Sequence, residues 1–425
     1  MAVAVVSKGH TEHTKEADSQ IGLRGEMPRP IKIVFLGAGS GFTPHLLNDV
    51  LSIPGAAAGE FVIVDIDETR LGIMHKVVQK LIEKTGKGEG WKISASTDRR
   101  QALPGADYIV NCIEVSGIHC VRFDNDIPAK YGVDQCIGDT IGPGGLFKAL
   151  RTVPVFLEIL RDAEKLCPRA LVLNYTNPMN IMCLAAGRTT SMQLVGLCHS
   201  VQGTSHLLAK RAGIAVEEME WECAGINHLA WFTKLRHRGQ DLYPILMEKA
   251  RQDLSGNPSD PEDKDLVRKD MMLHFGAFIT ESSGHLSEYL PYYRKRKDLH
   301  PKYLRERYDG GSSFYANEWP GWRKSADEHR QKVIRGEAEI GGKRSWEYAS
   351  WIIEAREKDS PFRIHGNVMN VHPRNGAGPL ISNLMGDGCV EVACMIDRNG
   401  INPTACGKLP AQMAAICDWN MRMFD

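Results

Sequence analysis

Residues 31–42 read IKIVFLGAGSGF, and the fold hangs on what the glycines in this stretch are for. A β-prone run passes directly into Gly37, Gly39 and Ser40, after which TPHLLNDVLS at 43–52 takes up a helical pattern. A strand that feeds a glycine turn at a helix N-terminus opens a dinucleotide-binding unit, with the pyrophosphate lying on the helix start. The fingerprint is partial, G-x-G-S with Phe42 where a third glycine would stand. Alone, such a turn is often only a turn. A second signal comes from FVIVDID at 61–67, whose Asp65 is placed to hydrogen-bond a ribose 2′-hydroxyl and so favours NAD over NADP. Asp67 is the runner-up for that contact, or a cap for the next helix.

Outward from this unit, strand-like ADYIVNCIEV (106–115), RALVLNYTNPMN (169–180) and QLVGLCHS (193–200) alternate with helical segments such as FKALRTVPVFLEILRDAEKL (147–166). That alternation predicts an α/β fold with a doubly wound parallel sheet of the Rossmann type, its ligand beyond the strands' C-terminal ends. From about residue 206 the pattern loosens. WECAGINHLAWFTKL (221–235) reads as sheet and MMLHFGAFITESSGHLSEYLPYYRKRK (271–297) as a helix followed by a loop. DGGSSFYANEWPGWRK (309–324) reads as a mobile loop or a subunit contact. The expected organisation is a flexible tail over 1–30, an NAD-binding domain over 31–205 and a second α/β domain over 206–425.

Composition narrows the partners. Lysine plus arginine equals aspartate plus glutamate at 52 each, so no net field draws the chain to nucleic acid or an anionic membrane. No apolar run approaches the roughly 20 residues of a membrane helix, and the N-terminus lacks a signal-peptide core. Eleven cysteines without a CxxC pair read as reduced thiols in the cytoplasm. A small, specifically bound molecule is the expected partner.

Several motifs fall at the predicted ligand edge. In NYTNPMN, Asn177 and Asn180 offer neutral amides to sugar hydroxyls or a carboxamide, although Asn-Pro turn chemistry alone explains them as well. GDTIGPGG sets Asp139 and Thr140 beside a glycine-dense turn, as a substrate-facing acid or a cap. Cys198, at a strand end, and His228, in GINH, make a partial site for a divalent ion, or else a buried thiol and a core histidine. His199 should face away from Cys198 if the strand stays regular. ESSGHLSEYLPYYRKRK gathers Glu281, His285, Glu288, Tyr289 and the basic run Arg294 to Lys297.

Taken together, GAGS, VDID, GDTIGPGG, ALRTVP, NYTNPMN, GLCHSVQGT, CAGINH, TESSGHLSEYLPYY and CVEVAC resemble glycoside hydrolase family 4, the NAD- and metal-dependent glycosidases, over residues 31–425. CHSVQGT followed by GINHLAWF looks like the α-galactosidase, or melibiase, branch. The 6-phospho-glycosidase branch carries Asp after the cysteine, where this chain has His199. The resemblance implies a Rossmann domain followed by a lactate/malate-dehydrogenase-like α/β domain, assembled as a homodimer or homotetramer. It implies NAD at Gly37, Gly39, Ser40 and Asp65, and Mn2+ or another divalent cation on Cys198 and His228. On the substrate side it implies Asn177 and Asp139, with Asn180 and His199 beside them, and Tyr289 as the base, His285 being the alternative.

The implied reaction is oxidation at the sugar's C3, deprotonation at C2, elimination of the aglycone, addition of water and re-reduction. Other expectations remain open at this point. A uronidase would pair a C6 carboxylate with Arg294, Lys295 or Arg296, and an α-glucosidase would differ only in the sugar. A 2-hydroxy-acid dehydrogenase would need no metal, and a non-catalytic NAD sensor would not need Tyr289. The family usually continues beyond the last helix, LPAQMAAICDWNMRMFD, so a truncated C-terminus is expected, and the N-terminal extension has no family counterpart.

Overall fold

The structure, a computed structural model, describes residues 22–256, 260, 262–372 and 378–425. Six parallel strands form its first half: β1 (Ile31–Leu36), β2 (Gly59–Val64), β3 (Trp91–Ser96), β4 (Tyr108–Asn111), β5 (Leu171–Asn174) and β6 (Gln193–Gly196). Their spatial order is β3-β2-β1-β4-β5-β6. The apolar runs are continuous because both faces of the strands are covered. On β1, Ile33 and Phe35 enter one hydrophobic core, while Val34 and Leu36 enter another on the opposite face. β3 carries no such run, being a half-exposed edge strand anchored by Trp91, whose ring stacks on Phe61 at 4.5 Å.

The second half extends the same sheet. A hairpin of β7 (Met219–Ile226) and β8 (Leu229–His237) is flanked by β9 (Gln240–Asp241) and β10 (Phe278–Ile279). A second hairpin, β11 (Phe362–Met369) and β12 (Cys389–Asp397), carries β13 (Gly400–Pro403) at its margin. β11 meets β6 and β12 meets β7, so the order continues β6-β11-β12-β7-β8-β10 through antiparallel pairs. The expected division at 205 falls inside the helix Ser200–Ala212. That helix ends at Gly213 in the left-handed conformation, and the chain's halves part after it.

Two further expectations change. Residues 22–30 are not a free tail: Leu23 N–H donates to Glu354 Oε1 at 2.9 Å, and Arg29 pairs with Asp107 at 2.7 Å and Glu357 at 3.0 Å. Residues 1–21 lie outside the described residues. The stretch 309–324 is not a loop, because from Phe314 it becomes the helix Phe314–Arg335. Among the described residues no helix is long and apolar enough to cross a membrane.

Candidate active site

A cavity of about 620 Å³ opens beyond the C-terminal ends of β1, β2, β4 and β5. At one end lie Gly37, Gly39, Ser40 and Asp65, and at the other Asp139, Lys148 and Asn177. Gly37 has φ 77°, and a Cβ there would stand 2.5 Å from the Cys112 carbonyl oxygen, so only glycine closes this turn. Asp65 accepts from the Gly39 N–H at 2.6 Å and the Asp67 N–H at 3.0 Å, which holds its carboxylate against the turn. Asp67 takes the cap role, accepting from the Arg70 N–H at 3.0 Å. The facing wall is the helix Phe314–Arg335, through Tyr315, Trp319 and Trp322. That helix is fastened to the turn by Arg330, which donates to the Ser40 carbonyl at 2.8 Å, and by Asp327 with Arg70 at 2.8 Å.

Behind the Asp139 end, three donors converge. β6 stops at Gly196, so Cys198 and His199 lie in the turn before the helix Ser200–Ala212, where strand alternation no longer applies. His228 occupies the tight β7–β8 turn with φ 61°, and Glu281 follows β10 with φ 74°. Left-handed backbone at non-glycine residues is strained and collects at functional sites. Cys198 Sγ lies 3.3 Å from His228 Nε2, which lies 3.5 Å from Glu281 Oε2. The three donor atoms all fall within 4.8 Å of one another.

Electrostatics favour a cation there. Burial pushes the Cys198 thiol well up, and Glu281 adds to it. Burial lowers His228 to about 4 against the pull of Glu281, which leaves a neutral imidazole with a free lone pair. Burial works against the Glu281 charge, yet His228 and His285 hold it at about 2. A buried thiol, a neutral imidazole and an ionised carboxylate are a donor set for a first-row divalent ion, which would also release the thiol proton.

A chain of charged groups links this cluster to the cavity. His285 Nδ1 is 3.4 Å from Glu281 Oε1, and its Nε2 is 3.8 Å from Asp139 Oδ1. Asn177 donates to Asp139 Oδ2 at 3.3 Å, and Lys148 bridges Glu114 at 2.9 Å and Asp139 at 3.8 Å. Burial opposes the His285 charge, but Glu281 and Asp139 raise it to about 9. Burial likewise disfavours ionised Asp139, while His285 and Lys148 bring it to about 2. Tyr289 is buried with its hydroxyl beside Thr140 and its ring 6.3 Å from that of His228. Burial, then the carboxylate of Asp139, pushes its phenol well above the ordinary range. Glu288 fixes the GDT loop by accepting from the N–H groups of Cys136, Ile137 and Gly138 at 2.6, 2.9 and 3.1 Å.

These shifts give a pH signature in the metal-free chain. His285, raised from 6.5, contributes stability that is full below pH 6.5 and is lost as pH climbs through about 9. Asp139 and Glu281, both lowered, contribute above their ordinary range and lose it only as pH falls through about 2. Urea denaturation from pH 6 to 10 is expected to show the alkaline decline, on the order of 1.4 kcal/mol for each pKa unit, and His285→Asn to flatten it. An identical slope in the variant would mean that the imidazole is not charged.

The structure thus sets Asp139 and Asn177 on the cavity wall at one end and Gly37, Gly39, Ser40 and Asp65 at the other, while Cys198, His228, His285 and Tyr289 lie behind Asp139, outside the lining. Asn180 is not on the cavity wall: its buried amide donates to the Cys389 carbonyl at 3.3 Å. His199 Nδ1 turns towards Glu347 Oε1 at 3.6 Å. Glu281 stood out in the sequence only as one acid of the 281–297 motif, not as a partner of Cys198 and His228, and Lys148, Glu114 and the Trp319 wall carried no site signal, since no spacing connects them to their partners.

The comparisons with known proteins divide the chain as the fold does. The model of family 4 glycosyl hydrolases matches residues 32–214, and that of the family's C-terminal domain matches 223–425. The chain belongs to glycosyl hydrolase family 4. This family 4 glycosidase is 37% identical over 395 residues to an α-galactosidase of Bacillus subtilis (strain 168), covering 91% of this chain and 85% of that one. It is 30% identical over 402 residues to an α-galacturonidase of the same organism, covering 89% and 84%. Among solved structures, a 6-phospho-β-glucosidase of Thermotoga maritima with manganese, NAD+ and glucose 6-phosphate superposes with TM-score 0.73 at 22% identity, covering 93% and 89%. Malate dehydrogenase of Plasmodium falciparum superposes with TM-score 0.51 at 11% identity, covering 93% and 96%, a likeness of fold alone. The family 4 chain thus has the dehydrogenase-like architecture that the sequence resemblance implied.

Proposed function

We propose that this family 4 glycosidase is an NAD- and divalent-metal-dependent exo-α-galactosidase. The observation that carries the reading is the buried Cys198, His228 and Glu281 cluster joined through His285 to Asp139 and Asn177 at the inner end of a glycine-turn cavity. The 37% identity to an α-galactosidase supports the sugar. Gly37, Gly39, Ser40 and Asp65 would hold NAD, and Cys198 and His228, joined by Glu281, would hold Mn2+. Bound there, the dinucleotide would supply reversible hydride removal from the sugar and the cation would supply Lewis acidity.

The remaining work falls to side chains. Asn177 and Asp139 hold the sugar's hydroxyls, and Lys148 and His285 keep Asp139 ionised to accept from them. Tyr289 takes the C2 proton. Burial keeps its phenol protonated, so its service as a base requires the positive charge that a cation held by Cys198, His228 and Glu281 would supply. The aglycone leaves C1, water adds, and net hydrolysis results.

None of the three cations expected to pair a uronide's C6 carboxylate lines the cavity. Arg294 is buried and fully engaged, with Asp134, with the Gly310 carbonyl at 2.7 Å and with Ser287 Oγ at 3.1 Å. Arg296 pairs with Asp298 at the surface, where Lys295 is also exposed. Arg294→Ala is therefore expected to cost about 1–3 kcal/mol of stability, through the Gly310 carbonyl and Ser287 hydroxyl left without their donor, read by urea denaturation. It should leave the ratio of kcat/KM for α-galactoside over α-galacturonide unchanged. A tenfold shift in that ratio would restore the uronidase reading.

The same proposal makes the protein cytoplasmic and homo-oligomeric. All eleven cysteines are free, and two packed helices expose Phe123, Ile127, Tyr131, Phe147 and Leu150, an apolar face suited to a second copy. The deciding experiment is hydrolysis of 4-nitrophenyl α-galactoside, α-glucoside and α-galacturonide with NAD+ and Mn2+ under reducing conditions, each component omitted in turn. Preferred cleavage of the galactoside, dependent on both and without accumulating NADH, is expected. NADH rising with product would indicate a dehydrogenase instead.

A further inference from the structure

Cys198 and His228 come from strands that are not neighbours. β11 and β12 lie between β6 and β7 in the sheet, yet the two donor atoms stand 3.3 Å apart. Each seam rests on a single residue pair, Asn367 with Gly196 of β6 and Glu391 with Gly225 of β7. Asn367 and Glu391 also pair directly with each other. A row of four residues therefore joins the strand that leads into Cys198 to the strand that leads into His228.

The side chains of the middle pair reinforce that row. Asn367 Nδ2 donates to the Gly196 carbonyl and to Glu391 Oε1, both at 3.3 Å. The outer positions have no slack: a Cβ on Gly196 would lie 2.5 Å from Cys183 Sγ, and one on Gly225 would lie 2.5 Å from the Leu229 carbonyl oxygen. Asn367 and Glu391 are fully buried. Asn367 Oδ1 and Glu391 Oε2 find no hydrogen-bond partner. An apolar pair would hold two strands together without leaving polar atoms unsatisfied in the core. The location therefore calls for a role beyond packing.

We propose that Asn367 and Glu391 are positioning residues of the metal centre, locking β6 to β7 so that Cys198 and His228 meet at ligand distance. This rests on reading Cys198 and His228 as metal ligands. Residues that orient first ligands govern metal affinity by about 10- to 100-fold.

The test is Mn2+ binding by the full chain, read from the electron paramagnetic resonance of free Mn2+, with NAD+ binding measured in parallel. Glu391→Ala and Asn367→Ala are each expected to weaken Mn2+ about 10- to 100-fold. The double variant should be no weaker than either single one, because the two act as a unit. Glu391→Gln should bind as the parent does, since burial already raises the Glu391 carboxyl to about 8 and glutamine keeps the acceptor that Asn367 uses. NAD+ affinity should not move. Parent-like Mn2+ binding in both alanine variants overturns the proposal, as does Glu391→Gln falling with Glu391→Ala. If Glu391→Ala does not fold, Asn367→Ala decides alone. A parent that takes up no Mn2+ fails at the earlier step and removes the metal reading itself.

Discussion

Cys198→Ser is expected to weaken Mn2+ binding by at least about a hundredfold and to lower glycoside turnover by about a thousandfold, with NAD+ binding intact. Serine keeps the size of the side chain but stays a neutral hydroxyl, whereas a thiolate contributes charge and polarisability to the ion. His228 and Glu281 would remain, 3.5 Å apart, as an incomplete set. Lewis-acid assistance supplies several kcal/mol, and each 1.4 kcal/mol is about a factor of ten in rate. The glycine turn lies at the far end of the cavity, so dinucleotide affinity reports on the fold while metal affinity reports on the cluster. Full activity with serine at this position would remove the cysteine from the metal centre.

Tyr289→Phe is the second large effect. The ring is packed in the core and phenylalanine fills the same space, so folding and Mn2+ binding should survive. What disappears is one hydroxyl beside Thr140. Positioned general bases contribute about 10²- to 10⁴-fold, and kcat should fall by that range with KM little changed. The exchange of the C2 proton with deuterated solvent should disappear with it. If exchange persists in Tyr289→Phe and is lost when His285 is replaced, the base is His285.

The first half of the fold was legible because buried parallel strands announce themselves as unbroken apolar runs ended by glycine or acid, as in β1 and β2. β3 escaped notice because Trp91 alone anchors it. The helix Phe314–Arg335 reads as a loop, since Gly310, Gly311, Pro320 and Gly321 crowd its first turns and its approach. Asn180 looked like a partner of Asn177, but the first turn of the helix Met179–Thr189 swings it onto β12. Cys198 and His228 were visible as residue types at strand ends. Their meeting depends on β11 and β12, some 140 to 200 residues further along, and the contribution of Glu281 depends on a left-handed backbone that no motif specifies.

The helix that walls the cavity is bolted to the glycine turn by Arg330 and by Asp327 with Arg70. In kinetic terms, a dinucleotide seated beneath it would not have to leave between turnovers, in a cycle that gives back every hydride it takes. The enzyme should therefore need added NAD+ only in catalytic amount, about one per site for many turnovers, and turnover should follow substrate supply while remaining indifferent to the surrounding redox pool.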